Sequence, residues 1–185
     1  MANLKTNYMG LELKNPIIVG ASNLVTEHEN LRKIEEAGAG AIVYKSLFEE
    51  QIQLEDLEFS EHLEEYSERE AEMRSIFPDI EHAGPAEFLM NLKNAKEAVS
   101  IPMIASLNAV NHENWVEYAR KIEETGVDGL ELNFYTVPYD FDVMDRAVIN
   151  EQLDILRSVT NEVSIPISVK LSSYYTNPLY VIREM

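Results

Sequence analysis

An α/β fold built on a parallel sheet, and specifically a (β/α)8 TIM barrel apparently truncated after about five strands, is predicted by three features of this 185-residue sequence. Apolar runs of strand length alternate strictly with runs of helical period, the pattern of a parallel sheet covered by helices. The odd strands are announced by proline, at Pro16, Pro102 and Pro166, and the even ones by Gly38, Gly40, Gly126 and Gly129. Proline fits where no ladder hydrogen bond is yet required. No Gly-x-Gly-x-x-Gly fingerprint follows the first strand, which favours a barrel over an open, doubly wound sheet. A barrel has eight strands and typically about 250 residues. Residues 1–185 are therefore read as the N-terminal portion of a single longer barrel, with an acidic excursion over 49–72 inside it.

In order, Leu4-Lys5-Thr6 and Leu11-Glu12-Leu13 flank a turn and predict a hairpin. Asn15 to Gly20 is the first buried strand and delivers Ala21 and Ser22 at its carboxyl end. Thr26 with Glu29 reads as a capping box for a helix carrying Leu31, Ile34 and Ala37, stopped by Gly38. Ala41 to Lys45 is the second strand, ending in Lys45-Ser46. Between Glu49 and Glu72, eleven carboxylates face only Arg69, a charge run whose usual meaning is a solvated face. An acidic lid or partner-binding segment is the other reading.

Gly84-Pro85 restarts a helix with Phe88, Leu89, Leu92, Ala95 and Val99 at core spacing. The third strand, Ile101 to Asn108, leads to a helix from Asn111 or His112 with Trp115, Tyr118, Ala119 and Ile122 on its apolar stripe. Gly126 ends that helix, and the fourth strand presents Glu131-Leu132-Asn133 before an aromatic loop, Phe134 to Phe141. A helix from about Asp145 to Val163 precedes the fifth strand, Ile165 to Leu171, whose single lysine is Lys170. Asn177-Pro178 begins one more helix.

Composition narrows the function. The chain is 45% hydrophobic and 26% charged, as expected of a soluble globular domain. No apolar run approaches about 18 residues and no signal peptide opens the chain, so no membrane partner and a cytoplasmic location are expected. With no cysteine there is no thiolate chemistry, and His28, His62, His82 and His112 are too scattered for a metal motif. A net charge of −18 argues against nucleic acid as partner. Ligands of parallel α/β sheets gather at the strands' carboxyl ends, which marks Asn133 and Lys170 as facing one space; Lys45 too ends a strand.

Asn15-Pro16 through Ala21-Ser22, Lys45-Ser46, Glu131-Leu132-Asn133 and Val169-Lys170-Leu171 together resemble the dihydroorotate dehydrogenase family, most closely its soluble class 1 branch, from about residue 4 onward. The resemblance implies an oxidoreductase that carries FMN, takes a small-molecule substrate and is a homo-oligomer at full length. By it, Ala21, Ser22, Lys45, Ser46, Asn108, Asn133 and Lys170 would hold the cofactor, Lys45 and Asn133 the substrate, and Lys45 would take part in catalysis. Thr136 stands where the family has its basic cysteine, Pro138 where a substrate-binding asparagine is expected, and His82 lies in a loop that presents an asparagine in the family. A threonine is a poor base without an activating neighbour. Two readings of other classes stand beside this one: an aldolase-type lyase forming a Schiff base on Lys170, and a barrel portion without catalysis.

Overall fold

The computed structural model describes residues 3–53, 84–135 and 144–185. The expected hairpin is present as β1 (Thr6–Tyr8) and β2 (Leu11–Leu13), its turn made by Met9 and Gly10, both at positive φ. Then β3 (Ile18–Val19), a 3-10 turn over Asn23–Val25, α1 (His28–Glu36), β4 (Ala41–Val43) and β5 (Leu47–Phe48) follow. Helical residues begin again at Glu49 and continue to Gln53, where the first described stretch ends. After it come α2 (Pro85–Ala98), β6 (Met103–Asn108), α3 (His112–Glu123) and β7 (Gly129–Phe134). The last described stretch holds α4 (Asp145–Glu162), β8 (Ile167–Leu171) and α5 (Pro178–Glu184).

All neighbours in the main sheet are parallel, in the order β3-β4-β6-β7-β8, with β5 also pairing β6. Strand order follows chain order with no reversal, so the sheet has none of the switch points that define a doubly wound fold. Alternate strand residues share one face: Ile42, Met103, Ala105, Leu107, Leu130 and Leu132 join one apolar cluster with Leu31 of α1, Leu92 of α2, Ile122 of α3 and Val159 of α4. Helices α1 to α4 thus cover the same face. The result is a parallel α/β sheet curled as half a barrel, and the other face is left for chemistry.

Two loops of this frame are built alike. Val99-Ser100-Ile101-Pro102 precedes β6 and Val163-Ser164-Ile165-Pro166 precedes β8. Each serine is held by a glutamate at the end of an earlier helix: Ser100 N donates to Glu35 Oε1 at 3.0 Å, and Ser164 N and Oγ donate to Glu123 Oε1 at 2.8 and 2.6 Å. The serine hydroxyl, the leading cause in both, holds each carboxyl below its ordinary range. The start of β7 is tied to β6 by Asp128, whose Oδ2 accepts Met103 N at 2.7 Å and forms an ion pair with Lys96. Glycine is obligatory at Gly40, since a Cβ there would lie 2.2 Å from the Asn15 carbonyl oxygen.

Most expected elements lie where the sequence puts them, including Gly38 and Gly126 at positive φ after their helices and Asn177 accepting from Tyr180 N at 3.1 Å. Two expectations need correction. The first strand is not buried: β3 is short, half-exposed and flanked by Ile17 at 63% exposure, because it stands at the edge of the described sheet. The capping box over Thr26 and Glu29 does not form: Thr26 Oγ1 donates to Asn23 O within the 3-10 turn, and Glu27 is the N-cap without a side-chain bond. Most of the acidic excursion lies outside the described residues, as does His82.

Acid should weaken the two glutamate clamps. Because the folded-state carboxyls of Glu35 and Glu123 titrate below their ordinary value near 4.5, their contribution is full above that pH and is lost as pH falls through the lowered values. Urea unfolding at pH 6 and pH 3 checks this: the Glu35→Gln/Glu123→Gln variant is expected to lose less stability between the two than the parent.

Candidate functional site

The helix-free face owes its chemistry to one interruption of strand alternation. Val43 pairs with Ile104 and Leu47 with Leu107, so four steps on one side oppose three on the other. This extra residue is a bulge between β4 and β5. Tyr44 and Leu47 both stay in the helix-covered core, with the Tyr44 ring edge-on to Phe88 at 5.8 Å, and burial pushes the Tyr44 phenol up. Lys45 and Ser46, between them, are turned consecutively toward the other face, and Ser46 is 6% exposed there. Regular alternation would have sent one of the two into the apolar core.

From Ser46 a polar chain crosses the sheet. Ser46 Oγ lies 2.7 Å from Ser106 Oγ on β6. Ser106 Oγ donates to Glu131 Oε1 on β7 at 3.3 Å, and the same oxygen accepts from Lys170 Nζ on β8 at 2.7 Å. Each link joins neighbouring strands: Ser106 and Glu131 are register partners, and Lys170, two residues beyond Glu131's own partner Ser168, meets that carboxylate from further along β8. Lys170 is half-exposed at its head while Glu131 is only 16% exposed, and Ser106 is fully buried. The carboxylate thus fixes the ammonium's direction without removing it from solvent. Ser168, paired with Glu131 in register, keeps a buried Oγ with no hydrogen-bond partner.

The structure brings together Ser46, Asn133 and Lys170 of the expected residues, Asn133 and Lys170 being register partners on β7 and β8. Asn108 ends β6 opposite Phe48, and both asparagines are partly buried at strand ends. Neither amide has a hydrogen-bond partner among the described residues. Lys45 is partly buried within the bulge. Ala21 and Ser22 are exposed beyond the end of β3, three strand positions from β7, on the order of 14 Å at normal strand spacing. Thr136 and Pro138 lie outside the described residues. Sequence reasoning passed over Ser106 and gave Glu131 no role; period-2 alternation through Asn108 and Asn133 marks both, since residues two apart share a face.

A second hollow, of about 470 Å³, opens between α4 and the segment joining β8 to α5, lined by Arg146, Gln152, Tyr174, Tyr175 and Tyr180 among others. Tyr175 Oη donates to Gln152 Oε1 at 2.7 Å, and burial pushes its phenol up. None of the expected site residues lines it. Among the described residues no group of three or more His, Asp or Glu could hold a metal ion, and no helix is long and apolar enough to cross a membrane.

With the polar face and its lysine in view, the curated proteins that match this chain in sequence share one name. The catalytic subunit of dihydroorotate dehydrogenase B (NAD(+)) of Thermoplasma volcanium is 28% identical over 99% of this chain and 58% of its own length. The corresponding subunit of Methanocella arvoryzae is 30% identical over 92% of this chain and 54% of its own. The chain is thus similar in sequence to catalytic subunits of dihydroorotate dehydrogenase B. It spans little more than half the length of these curated relatives, and no family model matches it. Among solved structures, a variant of NCR from Zymomonas mobilis aligns with a TM-score of 0.57 at 14% identity over 95% of this chain and 61% of that one. A phosphonopyruvate hydrolase aligns with a TM-score of 0.53 at 18% identity over 92% and 53%. At such identities the likeness speaks for the fold alone.

A double-mutant cycle tests the polar chain. Ser46→Ala and Ser106→Ala each strand a buried partner and are expected to cost about 1–2 kcal/mol in urea unfolding. The double variant should cost less than the sum, because the second substitution removes a bond already lost. Simple additivity would mean that the two hydroxyls do not interact.

Proposed function

We propose that the full-length protein is an FMN-dependent oxidoreductase of the dihydroorotate dehydrogenase type, of which residues 1–185 supply the first five strands of a (β/α)8 barrel. The observation that carries the reading is the Lys170 side chain, half-exposed, paired with Glu131 and level in register with Asn133 near the strand ends. The residues present fit a flavin: the amides of Asn108 and Asn133, which have no hydrogen-bond partner among the described residues, and a half-exposed cation are groups that a polar ring edge would satisfy.

FMN, when bound, would supply two-electron oxidation of a CH–CH bond, with dihydroorotate or a related compound as substrate in pyrimidine biosynthesis. Lys170 would meet negative charge on the cofactor's ring, where a fixed cation needs no reorganisation. Asn108 and Asn133 would orient cofactor and substrate through their amides, and Lys45 with Ser46 would line the side nearer β4. The words "catalytic subunit" and "NAD(+)" in the relatives' name support a second subunit that passes electrons to NAD. A Schiff-base lyase needs a neutral lysine, made so by desolvation or a neighbouring cation. The carboxylate 2.7 Å from Lys170 lends that reading no support.

The purified full-length protein is expected to be yellow and to be reduced anaerobically by its substrate. Lys170→Ala should slow flavin reduction about 10²–10³-fold while leaving the far-ultraviolet circular dichroism unchanged. A colourless protein that takes up no added FMN, or a substrate trapped on Lys170 by borohydride, would overturn the proposal.

A further inference from the structure

Glu49 stands one residue past the last paired rung of β5 and is 2% exposed, yet it takes part in no salt bridge among the described residues. Its charge is met by amides instead. Oε2 accepts from Val110 N at 2.9 Å, and Oε1 accepts from Asn111 Nδ2 at 2.9 Å, Asn114 Nδ2 at 2.8 Å and Gln53 Nε2 at 3.2 Å. An isolated buried charge is costly, and even a satisfied one is commonly replaceable by apolar packing without loss of stability. Four donors converging on one carboxylate therefore point to a demand for one particular arrangement, beyond stability itself.

That arrangement concerns the end of β6. Phe48 and Asn108 form the final rung between β5 and β6. One residue beyond Phe48 and two beyond Asn108, the Glu49 side chain takes the Val110 N–H in place of a backbone carbonyl, so the pairing of the two strand ends is continued by a side chain. Through Asn111 and Asn114 the same carboxylate also holds the N-cap and first turn of α3. The loop from Asn108 to His112 cannot swing without breaking these bonds; Ala109 is buried in the core while Val110 is 67% exposed, so its N–H is held by the Glu49 bond.

We infer that Glu49 is a positioning residue: it locks the segment after β6 so that Asn108 keeps its amide at the helix-free face. The inference rests on the flavin reading for what Asn108 touches, and on geometry alone for the lock. A merely structural glutamate would lower stability without changing how the site binds.

The experiment pairs amide hydrogen exchange with FMN titration of the full-length protein. Glu49→Ala is expected to speed exchange at Val110 about 10-fold or more and to weaken FMN binding by a similar factor, each about 1.4 kcal/mol. Glu49→Gln should restore most of both, because its carbonyl can accept Val110 N–H while its NH2 donates to Asn111 or Asn114 with the amide turned over. If Glu49→Ala fails to fold, Asn111→Ala/Asn114→Ala takes its place: it strips two donors, and the same two changes are expected. Unchanged exchange at Val110 overturns the lock, and faster exchange with unchanged FMN affinity overturns the positioning role. If the parent protein takes up no FMN, the flavin reading fails separately, and exchange at the Asn108 and Val110 amides decides whether the lock exists.

Discussion

A parallel strand can serve two masters only because its side chains alternate, and among the described residues the alternation is broken between Val43 and Leu47. The bulge lets Tyr44 and Leu47 both remain under the helices while Lys45 and Ser46 both leave them. Without the extra residue, either the apolar cluster would lose Leu47 or Ser46 would be buried among hydrocarbon, at a cost of roughly 1–3 kcal/mol for an unpaired hydroxyl. Ser46 instead starts the line of bonds that ends at Lys170. The direction of the cation on β8 therefore depends, through three contacts, on a backbone irregularity four strands earlier in the chain.

The electrostatics of that line follow from partial burial. Glu131 is shielded enough that its pairing with Lys170 is not wholly screened, while the ammonium keeps contact with water. Such a cation is a fixed charge on a mostly negative molecule, whose net charge is −18. An anionic or electron-rich ligand drawn to the helix-free face would find attraction concentrated at Lys45 and Lys170 and a carboxylate already occupied by its own partners. Glu49 solves the related problem of a negative charge within the wall by amide donors alone.

Much of this was legible in the sequence, and the reasons differ by residue. Helix limits were marked by chemistry that acts locally: Gly126 at positive φ, Pro85 at the first turn, Asn177 capping its own helix. Buried stripes such as Trp115, Tyr118, Ala119 and Ile122 follow from period alone. The capping box failed because Thr26 had a nearer carbonyl, that of Asn23, in a 3-10 turn that no spacing rule announces. Strand-end polar residues were found one at a time, as Lys45, Asn108, Asn133 and Lys170, but their wiring was not. Ser106 and Glu131 meet only through register between strands whose residues are 25 apart in sequence, and register is a property of the pair.

The repeated Val-Ser-Ile-Pro loops show how such register is kept. A parallel strand receives no tight hairpin turn to fix its offset, so something else must hold its entry point. Proline prevents pairing at one position, and the serine two residues before it is tied back to Glu35 or Glu123 at the end of an earlier helix. Both β6 and β8 are thereby referenced to helices that flank the strands between them. A slip of one residue at β8 would exchange Lys170 for Val169 on the polar face, and the clamp on Ser164 opposes that slip by anchoring the chain a few residues upstream. The site at the carboxyl ends of the strands is thus set from their amino ends, which is why the residues that align the chemistry lie at the opposite end of the sheet from the residues that would perform it.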